Sequence, residues 1–166
     1  MLKDAVVGQK IHLLGTNLAN VFLDNSDLRG ANIQNANLKS AHLAQSNLEN
    51  VQMNHVTLEN ADLRGADCRN VDFGNANLRG VNFENCNLSG AHFNYADCEN
   101  ANFKNANLED AYFYSANLTN VKGITPKQLS KVKSLYETAG IVQEIIDKIN
   151  ELQPHLFSHP MQKTNQ

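Results

Sequence analysis

The sequence predicts an all-β solenoid in which the chain winds as a four-sided coil. Between residues 16 and 120 an apolar residue stands at every fifth position, with no change of frame. A small or β-branched residue precedes each of these apolar centres by two positions, and Asn or Asp is common between them. The centres are Leu18, Leu23, Leu28, Ile33, Leu38, Leu43, Leu48, Met53, Leu58, Leu63, Cys68, Phe73, Leu78, Phe83, Leu88, Phe93, Cys98, Phe103, Leu108, Phe113 and Leu118. So long an unbroken period indicates a repeat architecture.

The period of five residues explains the four sides. An α-helix repeats about every 3.6 residues and a strand about every two, so neither keeps all the centres buried. A chain that makes a right-angled turn after every unit does bury them, and four units complete a coil of about 20 residues. Stacked coils hydrogen-bond at about the 4.8 Å spacing of a sheet. The fifth position of the unit is rich in Asn and Gly, which tolerate the dihedrals of such corners.

The unit resembles a known family. The segments ANLKS, ADLRG, ANLRG, VNFEN, ANFKN and ANLED are similar to the A(D/N)LXX signature of the pentapeptide repeat family, and the resemblance covers about two-thirds of the chain. It implies the right-handed quadrilateral β-helix of that family, a solenoid whose stability is a sum over neighbouring coils. It also implies a small bacterial protein of the kind most abundant in cyanobacteria, where most members have no assigned biochemical activity.

Residues 1–15 read as a lead-in that ends in a degenerate first repeat. Ile11 and Leu13 fall in register with the repeats that follow over residues 16–120. The apolar run before Ile11 is too short for a signal peptide, and nothing in the chain approaches a transmembrane span. We therefore expect a cytoplasmic protein that does not bind a membrane.

The rhythm stops at Val121, and the sequence predicts a short α-helical C-terminal cap over residues 121–153 with a flexible tail over 154–166. An open end of a β-helix exposes its core and its strand edges, which a terminal cap covers. Two helices would form this cap.

The first predicted helix starts at Pro126. Thr125 is suited to be its N-cap, and Gln128 is placed to close a capping box. Ala139 and Gly140 look like its end. The residues expected on one face of this helix are Leu129, Val132, Leu135 and Tyr136.

The second predicted helix, over residues 141–152, is more apolar than a cap requires. Its apolar residues recur at helical spacing and form a stripe. This stripe either packs on the last coil of the same chain, which gives a monomer, or joins two chains in a dimer; the monomer is favoured. The candidate residues for a helix-mediated contact are Val142, Ile145, Ile149 and Leu152.

Neither a catalytic site nor a cofactor or metal site is expected. The cysteines Cys68, Cys86 and Cys98 replace inward residues of the repeat, so we expect buried, reduced thiols. A zinc ion needs four ligands that converge on one point, but the histidines are scattered over different faces, coils and the tail. A convex rod also offers no cleft that excludes water or shifts a pKa. The histidines are His12, His42, His55, His92, His155 and His159.

Residues one coil apart form columns on the surface of the rod, and on three faces these columns alternate in sign. One face stacks Lys39, Glu59, Arg79 and Glu99, a second stacks Asp24, Ala44, Arg64, Glu84 and Lys104, and a third stacks Arg29, Glu49, Arg69, Ser89 and Glu109. Alternation predicts attraction between neighbouring coils and a weak electrostatic field at a distance.

The resemblance to the pentapeptide repeat family also raises the possibility of DNA mimicry. Acidic members of that family mimic DNA and inhibit or protect gyrase, a type II topoisomerase. That mimicry needs a sustained negative column, since duplex DNA carries one charge per about 1.7 Å.

The fourth face carries almost no charge and gathers rings near its C-terminal end. Uncharged surface rich in Tyr is typical of protein interfaces. Two interpretations are open: the C-terminal helices fold back onto this face, or it binds a partner. The candidate interaction surface is His92, Asn94, Tyr95, Tyr112 and Tyr114.

These observations favour a non-enzymatic structural or protein-interaction module. Its partner would be a protein of unknown identity, bound through the solenoid surface or the C-terminal helices, and would not be a nucleic acid. The alternative is a DNA-mimic inhibitor or protector of gyrase.

Overall fold

The computed structural model describes residues 11–158, and over residues 11–122 the chain follows one regular four-sided coil. Each unit contributes one residue to a parallel β-bridge with the residue 20 positions on, one full coil of four units later, from His12 opposite Asn32 to Asn102 opposite Lys122. The Leu13 N–H donates to the Asn32 carbonyl at 2.8 Å, and the Asn32 N–H donates to the Ile11 carbonyl at 2.8 Å. This ladder confirms the predicted solenoid. Residues 1–10 of the predicted lead-in lie outside the described residues.

Every corner of the regular coil has a left-handed backbone. The fifth residue of each unit from Gly15 to Asn120 has a positive φ, between +51° at Ser115 and +68° at Gly90. Gly and Asn adopt this conformation at the lowest cost, which explains why they dominate the position. The corner is therefore where the sequence is most constrained by the backbone.

The interior of the coil is filled by the predicted centres. From Leu23 to Leu118 none of them is more than 4% exposed. Two columns of phenylalanine run along opposite sides: Phe73, Phe93 and Phe113 stack at centroid distances of 5.2 and 4.7 Å, and Phe83 stacks on Phe103 at 5.1 Å. Rings of the two columns meet edge to face at 5.7–6.2 Å. The predicted pair of aromatic columns is confirmed.

The three cysteines are buried and unpaired, as expected. A hydrogen bond to Cys86 and burial raise the pKa of the Cys68 thiol, and burial raises that of Cys98. The Cys68 and Cys98 thiols therefore stay protonated, and all three cysteines act as small apolar core residues.

Residues 121–140 continue the coil where the sequence predicted a long first helix. Ser134 lies opposite Tyr112, and Ala139 lies opposite Asn117, so the step between coils grows from 20 to 22 residues. The helix itself, α1 (Pro126–Leu129), is a single turn. The prediction of a helix beyond Leu129 is wrong, because the chain pairs with the preceding coil instead.

The start of α1 agrees with the sequence, and its packing explains the change of step. The capping box forms: the Gln128 N–H donates to Thr125 Oγ1 at 3.2 Å, and the Thr125 N–H donates to Gln128 Oε1 at 3.0 Å. Gln128 Nε2 also donates to the carbonyls of Phe103 and Ala106, at 3.0 and 2.9 Å. The helical turn thus replaces one side of the last coil, and its Leu129 is fully buried.

Two further elements lie at the C-terminal end. Helix α2 (Gln143–Leu152) buries Ile149, and a 3₁₀ helix, α3 (Pro154–Phe157), buries Leu156. The Leu135 N–H donates to the Leu156 carbonyl at 2.7 Å. The prediction of a loose tail is therefore wrong for Pro154–Phe157, and residues 159–166 of that tail lie outside the described residues.

Candidate interaction surface

Three of the four faces carry ion pairs between neighbouring coils, as the alternating columns predicted. Such partly exposed pairs each contribute only about 0.2–1 kcal/mol. These ion pairs do favour the correct register between neighbouring coils, and they neutralise opposite charges along the rod. The pairs are Lys39–Glu59 at 3.1 Å, Glu49–Arg69 at 3.2 Å, Glu84–Lys104 at 3.1 Å, and Arg79–Glu99.

The same faces carry a second kind of ion pair that sequence reasoning missed. Arginines bend back to the aspartate two residues earlier, in Arg29–Asp27 at 2.7 Å, Arg64–Asp62 at 2.6 Å and Arg69–Asp67 at 2.7 Å. The hydrogen bond from Arg64 holds the pKa of Asp62 below its usual value, and Arg69 does the same for Asp67. The signal was present in the Asp-x-Arg of units such as ADLRG, whose two polar side chains point outward on one side.

The fourth side bears a cluster of rings, which we call the aromatic face. The ring centroids of His92 and Tyr112 are 4.8 Å apart, and Tyr95 meets Tyr114 edge to face at 5.1 Å. Tyr114 in turn stacks on Tyr136, with a distance of 5.6 Å between ring centroids and an angle of 15° between ring planes. The aromatic face consists of His92, Asn94, Tyr95, Tyr112, Tyr114 and Tyr136.

The structure brings the five predicted surface residues together but gives them different roles. Tyr95 is 55% exposed, so the C-terminal helices do not cover this ring. Asn94 Oδ1 accepts a hydrogen bond from the Tyr114 N–H at 3.2 Å, so it supports the next coil. The rings of Tyr112 and Tyr114 are half-buried by their neighbours.

Sequence reasoning missed Tyr136, which it assigned to a helix face. The residue follows the centre Leu135 in the last coil just as Tyr114 follows the centre Phe113. The resemblance between SLYE and YFYS was the available signal, but it is visible only once the step of 22 residues is known.

Two members of this region occupy strained corners. Tyr95 has φ +61°, and Glu137, next to Tyr136, has φ +56°. Both residue types fit the left-handed region poorly, whereas most other corners carry Asn or Gly. Glu137 accepts a hydrogen bond from Ser115 Oγ at 2.8 Å, which ties it to the preceding corner.

The residues proposed for a helix-mediated contact divide into two groups. Val142 and Leu152 are 61% and 60% exposed, while Ile145 is half-buried. Ile149 is completely buried within the chain and offers no surface to a partner. Of the predicted stripe, therefore, Ile149 packs in the core of the chain, and Val142 and Leu152 face solvent.

No group of three or more His, Cys, Asp or Glu side chains within residues 11–158 is arranged to hold a metal ion. The helices described in that range are all too short or too polar to cross a bilayer.

A family model of pentapeptide repeats matches the chain in eight copies, over residues 11–43, 31–67, 41–80, 66–97 and 82–120. The chain belongs to the pentapeptide repeat family. Pentapeptide repeat proteins fold as right-handed quadrilateral β-helices and are generally structural, non-catalytic modules. No curated protein matches the chain in sequence.

Several solved pentapeptide repeat proteins resemble the structure. HetL of the cyanobacterium Nostoc sp. strain PCC 7120, which is involved in heterocyst differentiation regulation, is 29% identical over 69% of this chain, with a TM-score of 0.47. The chain spans 56% of HetL. A pentapeptide repeat protein of the cyanobacterium Cyanothece 51142 is 23% identical over 78% of this chain and 91% of its own, with a TM-score of 0.33. QnrB1, a plasmid-mediated fluoroquinolone resistance protein, is 12% identical over 80% of this chain and 84% of its own, with a TM-score of 0.44.

Proposed function

We propose that this pentapeptide repeat protein is a non-enzymatic interaction module that binds a protein partner through its aromatic face. The observation that carries the proposal is the exposed, strained Tyr95 in contact with Tyr114. Tyrosine supplies large contact area with a polar end and is enriched where interfaces gain most of their binding energy.

The strain at Tyr95 supports a role beyond the fold. An unfavourable backbone conformation costs about 1–3 kcal/mol and is found most often at functional sites. Most corners of the coil carry Asn or Gly, as Asn75 does one coil earlier in the same column. The tyrosine therefore adds something that the solenoid itself does not need.

DNA mimicry is the weaker alternative. The cationic side chains of three faces lie against carboxylates of the same or the next coil. Paired charges cancel at distances beyond about 10 Å at 0.1 M salt, so they do not reproduce the continuous negative field of a duplex. A supercoiling assay with purified gyrase is expected to show no effect of this protein.

We propose further that α2 and α3 form a cap on the last coil, and that this cap keeps the protein monomeric. Ile149 and Leu156 are buried among the core residues, and the Leu156 carbonyl accepts the Leu135 N–H. Covering the last coil in this way removes an edge that would otherwise pair with another chain. Light scattering is expected to show a monomer.

Photocrosslinking tests the binding proposal. A benzophenone amino acid is placed at position 95 or, as a control, at position 105, an exposed left-handed corner on the opposite side of the coil. In a lysate of the native host we expect a discrete crosslinked protein from position 95 alone. Excess wild-type protein should compete for it, and the double variant Tyr114→Ala/Tyr136→Ala should not. Equal crosslinking from both positions, or none from position 95, would contradict the proposal.

A further inference from the structure

The side of the coil that bears the aromatic face differs from the other three in that it lacks cations at its outward positions. From His12 to Glu137, no Lys or Arg occupies the outward or corner positions of this side in the described chain. Its two formal charges there are the carboxylates of Asp72 and Glu137. The neighbouring cation Lys133 is held by Asp110 at 2.8 Å. A partner therefore meets rings and negative charge on this side, without a competing cation.

The two carboxylates stand at opposite ends of the ring cluster. Asp72 lies directly opposite His92 in the next coil, and Glu137 follows Tyr136 in the last coil. Three coil steps separate their levels, which corresponds to roughly 14 Å at the spacing of a sheet. An extended peptide advances about 3.3 Å per residue, so four or five residues of it would span the cluster.

Arginine suits this combination better than other side chains do. Its planar guanidinium stacks on aromatic rings and binds carboxylates through two parallel hydrogen bonds. Lysine carries the same charge, but its ammonium is compact and strongly hydrated, and it lacks the flat surface that a tyrosine ring contacts. Exposed Tyr95 and Glu137 offer one group of each kind.

The backbone at these two residues adds an observation that is independent of charge. Tyr95 and Glu137 belong to one column of corners, and both have positive φ values that neither residue type favours. Strain of this kind is found most often at ligand-contacting positions. One strained corner thus supplies a ring and the other a carboxylate, the two groups that a guanidinium recognises.

We infer that the segment bound on the aromatic face is an extended, arginine-bearing peptide of the partner protein. This inference rests on the proposed function and adds the chemistry of the partner. The arginine side chains lie against Tyr95, Tyr114 and Tyr136 and reach the carboxylate of Glu137.

Fluorescence polarisation with three labelled peptides of about seven residues tests the inference. The first alternates arginine with glycine, the second replaces arginine by lysine, and the third replaces it by citrulline, which keeps the shape and lacks the charge. We expect saturable binding of the arginine peptide and at least tenfold weaker binding of the other two. Equal binding of the lysine peptide, or of the citrulline peptide, would overturn the inference.

Matched variants locate the binding. Glu137→Gln and the double variant Tyr114→Ala/Tyr136→Ala should each weaken binding of the arginine peptide at least fivefold. Glu109→Gln removes the same charge from another face, where this carboxylate is exposed and makes no ion pair among the described residues, and should leave binding unchanged. Equal weakening by Glu109→Gln and Glu137→Gln would show unspecific attraction and overturn the inference. Tyr95→Asn, which relieves strain, serves as a second ring variant should the double variant fail to fold.

The two proposals fail in different ways. If the arginine peptide does not bind while crosslinking from position 95 persists, the partner is not cationic and only the inference falls. If crosslinking from position 95 is also lost, the interaction function falls with it.

Discussion

The ion-paired faces and the aromatic face rest on the same backbone but use their outward positions differently. On the ion-paired faces a side chain such as Arg79 contacts carboxylates of the next coil, Asp97 and Glu99. On the aromatic face Tyr95 is exposed at a corner that its residue type does not favour. The ion-paired side chains are explained by their contacts within the fold, whereas the exposed ring of Tyr95 points to a function outside it.

The largest expected effect concerns the core that both kinds of face share. Phe93→Ala removes a ring that stacks on both Phe73 and Phe113, and it should lower the free energy of unfolding by about 3–5 kcal/mol. The outward change Asn94→Ala on the same unit should cost far less. Denaturant unfolding followed by circular dichroism measures both. A loss under about 1 kcal/mol for Phe93→Ala would mean that the column does not carry the stability of the coil.

A second test separates the aromatic face from α2 as a contact surface. Ile149→Asp places a charge in a fully buried site, where an uncompensated charge costs about 3 kcal/mol or more. Leu152→Asp, at an exposed position of the same helix, should change stability by under about 0.5 kcal/mol. If α2 instead joined two chains, light scattering would show a dimer that Leu152→Asp dissociates.

The protein should become more stable when the corner at Tyr95 is given the residue type that most other corners carry. Tyr95→Asn is expected to raise the free energy of unfolding by about 1 kcal/mol, because asparagine fits the left-handed backbone better. The reverse change on the opposite corner, Asn105→Tyr, should lower it by a similar amount. Thermal unfolding compares the two variants with the parent. Destabilisation by Tyr95→Asn would mean that the ring supports the fold and that the contrast between the faces is false.

The smallest expected effect is the pH dependence of the ion-paired faces. The pKa values of Asp62 and Asp67 are lowered in the folded chain, so their pairs stabilise it above the unfolded pKa of about 4. This contribution is lost as the pH falls through the folded pKa, because protonation then favours the unfolded chain. Arg64→Gln should therefore reduce the difference in stability between pH 7 and pH 3, by no more than about 1 kcal/mol. An unchanged difference would show that the Asp62–Arg64 pair is not formed in solution.

Much of this contrast could be read from the sequence, because a fixed step of 20 residues converts positions into columns. The phenylalanine columns and the ion pairs between coils follow from that step alone. The reading failed after Val121, where two extra residues change the step and where Leu129, Val132 and Leu135 have a spacing that also suits a helix. A capping box fixes where a helix begins but not where it ends.

The candidate site could likewise be predicted only as far as Val121, where the step of 20 residues ends. His92, Tyr95, Tyr112 and Tyr114 lie in the regular coils, so their columns could be assigned. Tyr136 and Glu137 lie beyond the change of step, and only the pairing of Ser134 with Tyr112 places them on this side.

The central claim is that the aromatic face, and not the ion-paired faces, binds the partner. Affinity capture from a lysate of the native host, with this protein immobilised, tests the claim most directly. Three immobilised proteins are compared: the parent, Tyr114→Ala/Tyr136→Ala and Arg79→Gln, which alters an ion-paired face. The measured quantity is the retained amount of the protein that crosslinks at position 95. The account predicts that the parent and Arg79→Gln retain this protein equally, while the double tyrosine variant, still folded by circular dichroism, loses it. Equal retention by all three proteins, or loss with Arg79→Gln alone, would contradict the account.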